Sequence, residues 1–203
     1  MKNSWMVAAG CALLITASAS AKPQQQLFRT HVSLARAFTF SEDSCERRVF
    51  DISVQEADEL PGSDAADSAS FTARVFVRNT CEGTTINSGF VSGEIPPEEL
   101  AVSLAGGAAS FTFATKKSFD NGAEPEPVEV AFAVTWQGVG EVAEDKITTH
   151  DNLDGVLVNV LEFDSTRSAT FSGTVTIADV EYPFSGDDQL FEFLLTAVQV
   201  VFT

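Results

Sequence analysis

The chain has 203 residues, with 29 Asp and Glu against 12 Lys and Arg, a formal net charge of −17 and 44% hydrophobic content. A field of that sign repels phosphate backbones and attracts cations and basic surfaces, so nucleic acid is set aside as a partner. The acids are unevenly spread: residues 22–78 carry seven Lys/Arg against nine Asp/Glu, and residues 79–203 carry four against twenty.

Residues 1–21, MKNSWMVAAGCALLITASASA, read as an export signal. Lys2 supplies the positive n-region, Val7–Ile15 the apolar h-region, and Ala19-Ser20-Ala21 the small-residue cleavage site. Lipidation at Cys11 is the rival reading; the apolar run continues past Cys11 to Ile15, which counts against it. Cleavage after Ala21 leaves residues 22–203 as a single domain in a periplasm or outside the cell. No later stretch approaches the roughly 18 apolar residues of a membrane helix. Two cysteines remain, Cys45 and Cys81. An even count in an oxidising compartment predicts one disulfide, closing a loop of about 36 residues.

Along the mature chain the pattern is that of strands. In Leu27–Phe40 the parity of Val32, Leu34, Phe38 and Phe40 is the expected buried face, broken at Arg36. Cys45–Val54 follows with Phe50, Ile52 and Val54 in register. Glu56–Ser68 (EADELPGSDAADS) is the clearest loop, with five acids and Pro61-Gly62. Ala69–Arg78 places Phe71, Ala73, Val75 and Val77 inward and Arg74 and Arg78 outward. After a turn at Cys81-Glu82-Gly83 and a short strand over Ile86–Gly93, Glu94–Leu100 (EIPPEEL) is a connection or a single helical turn, since its prolines donate nothing to a ladder.

Ala109–Thr115 alternates through Phe111 and Phe113, and Asp120-Asn121-Gly122 is a tight-turn signal. Val128–Trp136 (VEVAFAVTW) is the cleanest strand, alternating without a fault over nine residues. Gly138 and Gly140 end or bulge it, and Glu141–Thr149 is weaker. Asp151–Gly155 (DNLDG) reads as a turn. Val156–Phe163 is apolar on both parities, as in a strand covered on two sides. Ala169–Ile177 alternates, Ala178–Phe184 is its hairpin partner, Ser185–Asp188 (SGDD) reads as a third turn, and Leu190–Phe202 closes the chain. No amphipathic helix is present. About nine to eleven strands joined by Gly/Asp/Asn turns predict an all-β antiparallel β-sandwich, with a closed β-barrel as the alternative.

Catalytic signals are weak. Only His31 and His150 can serve as imidazole bases, there is no G-x-S-x-G elbow, and carboxylate pairs are expected by chance among so many acids. Trp136 and Tyr182 fall on apolar parities and read as core residues. Calcium is the one cofactor suggested: Asp151, Asn152 and Asp154 cluster oxygens in one turn and Asp187 and Asp188 in another, and one ion fits if the turns share an end of the fold. Ordinary turns use the same residues. The expectation is a non-catalytic binding or interaction module of the periplasm or extracellular space, with a protein, glycan or cation as partner. The alternatives are a hydrolase using a carboxylate pair and a structural component of the cell envelope.

Overall fold

The computed structural model describes residues 24–60, 68–153 and 156–201. The expected signal segment 1–21, part of the acidic loop and Asp154 lie outside the described residues. Nine strands account for nearly all of the rest: β1 (Gln24–Glu42), β2 (Glu46–Glu59), β3 (Ser68–Asn79), β4 (Thr84–Glu94), β5 (Leu100–Ser103), β6 (Gly106–Phe119), β7 (Glu126–Leu153), β8 (Val156–Ile177) and β9 (Val180–Val201). A 3₁₀ turn, Pro97–Glu99, stands where the prolines forbid a strand. All pairings are antiparallel in the order β4-β3-β2-β1-β9-β8-β7-β6-β5, and β4 also pairs with β6, which bends the sheet into a ring. Nine strands fall within the expected nine to eleven, and several run longer than the turn signals suggest. Ser185–Asp188 is not a turn but a paired part of β9, Glu56–Glu59 belongs to β2, and Glu141–Thr149 continues β7 past a register shift between Val139 and Ala143.

The ring has two facing walls. β1 and β9 pair from Gln24↔Val201 to Ala35↔Leu190 and then part. Past this fork β1 stays with β2–β4, and β9 stays with β8–β5. The inward parities of the walls meet: Phe71 of β3 stacks on Phe111 of β6 at 4.0 Å between ring centroids, and Phe50 of β2 meets Phe132 of β7 edge-on at 6.4 Å. Phe184 of β9 joins Phe50 at 5.8 Å. Where the β1–β9 ladder stops, the Trp136 indole N–H donates to the Arg36 carbonyl at 2.6 Å, so a side chain meets a strand-edge group that no neighbouring strand reaches.

The alternation expected for β3 and β7 holds, with Phe71, Ala73, Val75 and Val77 and Val128–Trp136 turning their apolar parity inward. In β1 the expectation fails. Ala35 and Ala37 are fully buried, whereas Phe38 and Phe40 are each 50% exposed. The space behind β1 is already filled by Phe50, Trp136 and Phe184, and a close-packed interior leaves room only for methyl groups there. The distal parts of β1, β9, β8 and β7 run on beyond the fork as a projecting sheet. Val156–Glu162 are half-buried on both parities and Phe163 is exposed, so this stretch is not fully covered on two sides.

Cys45 and Cys81 form the expected disulfide, 36 residues apart. It joins the turn before β2 to the turn after β3. In the first, the Asp43 carboxylate accepts from the N–H groups of Cys45 (2.8 Å) and Glu46 (2.7 Å); in the second, the Asn79 amide oxygen accepts from Cys81 (3.1 Å) and Glu82 (2.9 Å). These Asx turns bring the cysteines level.

Candidate interaction face

The parity swap in β1 creates the most unusual surface of the molecule. On the outer side of the first wall, register aligns Phe38, Asp51, Arg74 and Phe90 in one row across β1–β4, and Phe40, Val49, Phe76 and Asn87 in the next. Arg36, Ser53, Thr72 and Ser92 flank the first row; Glu42, Arg47, Arg78 and Thr85 flank the second. A register shift between Arg74 and Phe76, with Gly89 at φ 62°, throws Phe90 outward, where it is 68% exposed. The Ser88 hydroxyl takes over part of the lost ladder by accepting from Val75 N–H at 2.9 Å.

Three exposed phenylalanines and four of the chain's seven arginines therefore share one face. The Arg74 guanidinium lies 5.7 Å from the Phe90 ring centroid, and that of Arg47 lies 5.1 Å from Phe40. These cation–π contacts hold the rings and charges in a fixed array. Arg78 is spoken for: it makes two 2.6 Å hydrogen bonds to Asp120, which draw that carboxyl below its ordinary range and raise the guanidinium. Arg47 has a 4.0 Å contact with Glu42. Among the described residues Arg36 and Arg74 form no ion pair. Two arginines that form no ion pair among the described residues, beside exposed aromatic rings on a protein of charge −17, are out of keeping with a surface that only needs to be solvated, even with Asp51 opposite Arg74.

The second wall has the opposite character. Its outer parity presents Ala108 and Ser110 of β6, Ala133 and Thr135 of β7, and Ser172 and Thr174 of β8, and they floor a shallow groove of about 650 Å³ with Glu98 and Glu99 at its rim. Because Phe50 faces Phe132 and Phe71 faces Phe111 across the core, the two outer faces look in opposite directions.

The calcium candidates do not come together. Asp151 and Asn152 stand near the far tip of β7, opposite Val158 and Leu157, and Asp154 lies outside the described residues. Asp187 and Asp188 pair with Thr170 and Ala169. Twelve positions of β8, from Val158 to Thr170, separate the two sets, or about 40 Å at ~3.3 Å per residue. Asp188 falls on the inward parity by the fork. Burial pushes its carboxyl up, opposed by hydrogen bonds from the N–H groups of Gln189 and Phe38 and by the charge of Arg36. Among the described residues no group of three or more His, Cys, Asp or Glu is placed to hold a metal.

Other titratable clusters lie on the projecting sheet. His31 sits between Asp58 (3.3 Å) and Glu192 (3.8 Å), and Glu192 also accepts from Leu104 N–H, which ties the turn after β5 to β9. His150, exposed, meets Asn159 at 2.6 Å. Glu162 is pushed up by burial, then by the charge of Asp164 and a hydrogen bond between the two. Neither residue of this pair is among those that line the Glu98/Glu99 groove. The Phe/Arg face was the feature that sequence reasoning missed. Its signal was Arg36: a charge in the middle of an apparently apolar face marks that face as the outer one. Comparison with known proteins finds no matching family model, no matching curated protein and no matching solved structure.

Proposed function

We propose that this protein is a non-catalytic interaction module of an exported compartment, and that it recognises its partner through the outer face of β1–β4. One observation carries the reading: Phe38, Phe40 and Phe90 are exposed on one outer face together with Arg36 and Arg74, two arginines without ion-pair partners among the described residues. Aromatic side chains and arginine are what binding surfaces concentrate, because the rings bring large area with few rotors to freeze and the guanidinium brings directed charge. The disulfide and the signal-like first 21 residues support the compartment.

Site-specific photo-cross-linking in cells tests it. A photoreactive phenylalanine analogue is placed in turn at Phe38, Phe40 and Phe90, with the exposed Glu144 and Thr149 of the distal part of β7, away from both outer faces, as controls. The reading expects a common adduct from the three face positions, lost when Arg36→Ala and Arg74→Ala are combined. Equal labelling at all five positions, or none at the face, sinks it.

A further inference from the structure

The cationic aromatic face and the acidic groove are complementary in charge and in relief, and they lie on opposite sides of one molecule. We propose that the partner of the Phe/Arg face is a second copy of this chain, whose Glu98/Glu99 groove receives it. This rests on the reading above and names its partner. The exposed rings of Phe38 and Phe90 are the projections. The groove between the 3₁₀ turn and β8 has a floor of Ala, Ser and Thr, so no large side chain obstructs an entering ring. Arg36 and Arg74 then face the exposed Glu98 and Glu99, a pairing that neither group finds within its own chain among the described residues.

A contact between two different patches on opposite faces is head-to-tail, and every bound copy presents a fresh face and a fresh groove. Unless its rotation closes a ring, such an interface propagates as a linear assembly. Four strands about 4.8 Å apart by four outward positions about 6.8 Å apart span roughly 500 Å². That is below the ~800 Å² per partner of stable complexes. Single contacts are therefore weak, and assembly depends on concentration and on salt.

Sedimentation velocity of the full chain, run over a range of concentrations, tests this. The expected result is a weight-average sedimentation coefficient that climbs with concentration at about 0.05 M salt and falls back at about 0.5 M. The double variants Arg36→Glu/Arg74→Glu and Glu98→Arg/Glu99→Arg are each expected to stay monomeric, and an equimolar mixture of the two is expected to assemble again. Recovery on mixing is the decisive sign, because misfolded variants do not rescue one another. Overturning results are a wild-type chain that stays monomeric, assembly untouched by the groove variant, or a mixture that stays monomeric. A monomeric chain that still gives the three-position adduct in cells overturns self-recognition alone, whereas loss of both removes the face as an interaction site.

Discussion

Phe132 and Phe90 carry the same side chain in opposite roles, and truncating each to alanine separates the core from the proposed recognition face. Phe132 is 2% exposed and lies 6.4 Å from Phe50, 5.2 Å from Phe111, 6.0 Å from Phe113 and 6.5 Å from Phe184. It is one of the rings through which the two walls touch. Phe132→Ala removes buried area and leaves a cavity that four surrounding rings cannot collapse into, a cost of about 3–5 kcal/mol. Phe90 is 68% exposed, and its main contact is the Arg74 guanidinium. Phe90→Ala forfeits that cation–π interaction and costs at most about 1 kcal/mol. Urea unfolding followed by the fluorescence of buried Trp136 reads both variants. With a slope near 2 kcal/mol/M, Phe132→Ala moves the midpoint by about 2 M and Phe90→Ala by less than about 0.5 M. Sedimentation ranks them the other way, with Phe90→Ala losing assembly at little cost in stability. Equal destabilisation by the two variants, or a loss below about 1 kcal/mol for Phe132→Ala, refutes the assignment of inner and outer faces.

Trp136→Phe keeps the ring but strands the Arg36 carbonyl without its 2.6 Å donor, and it is expected to cost about 1–3 kcal/mol in thermal or urea unfolding. Replacing Cys45 and Cys81 together by Ser opens a 36-residue loop and costs about 3–4 kcal/mol in the chain-entropy model, with far-UV circular dichroism unchanged because Asp43 and Asn79 still hold the two turns. Asp188 is a carboxyl raised above 3.8 by burial, so the folded state disfavours its ionised form; that penalty is absent below 3.8 and grows as pH rises through the folded value. Asp188→Asn is therefore expected to be more stable than the parent at neutral pH, with the gain vanishing as pH falls below 3.8. A gain that instead grows in acid contradicts the burial account.

What could be read in the sequence follows from physical range. Alternation in Val128–Trp136 and Phe71–Val77 is local and unambiguous, and both segments face the core as their patterns require. The pairing of Ala169–Ile177 with the segment after it was legible because both alternate, but the turn at Ala178-Asp179 was not, since its two left-handed residues (φ 48° and 69°) are not glycines. The buried side of β1 was not legible. Its Phe parity looks more apolar than its Ala parity, and only the bulk that β2, β7 and β9 deliver to the interior decides which one fits. The acidic turn motif at Ser185–Asp188 misled for a related reason, since ladder pairing with Ala169–Ser172 outweighs local turn preference. The interaction face itself needs four strands in register, and no single stretch of sequence contains it.

Hydroxyl-radical footprinting of the phenylalanines at low and at high protein concentration tests the central claim most directly. The account predicts that at low concentration Phe38, Phe40 and Phe90 are modified readily while Phe50, Phe71 and Phe132 are protected, and that raising the concentration protects the first three selectively. Phe38 and Phe40 as unreactive as Phe132 in the dilute protein contradict the outward face, and reactivity at Phe38 and Phe90 that stays constant as concentration rises contradicts recognition of a second copy.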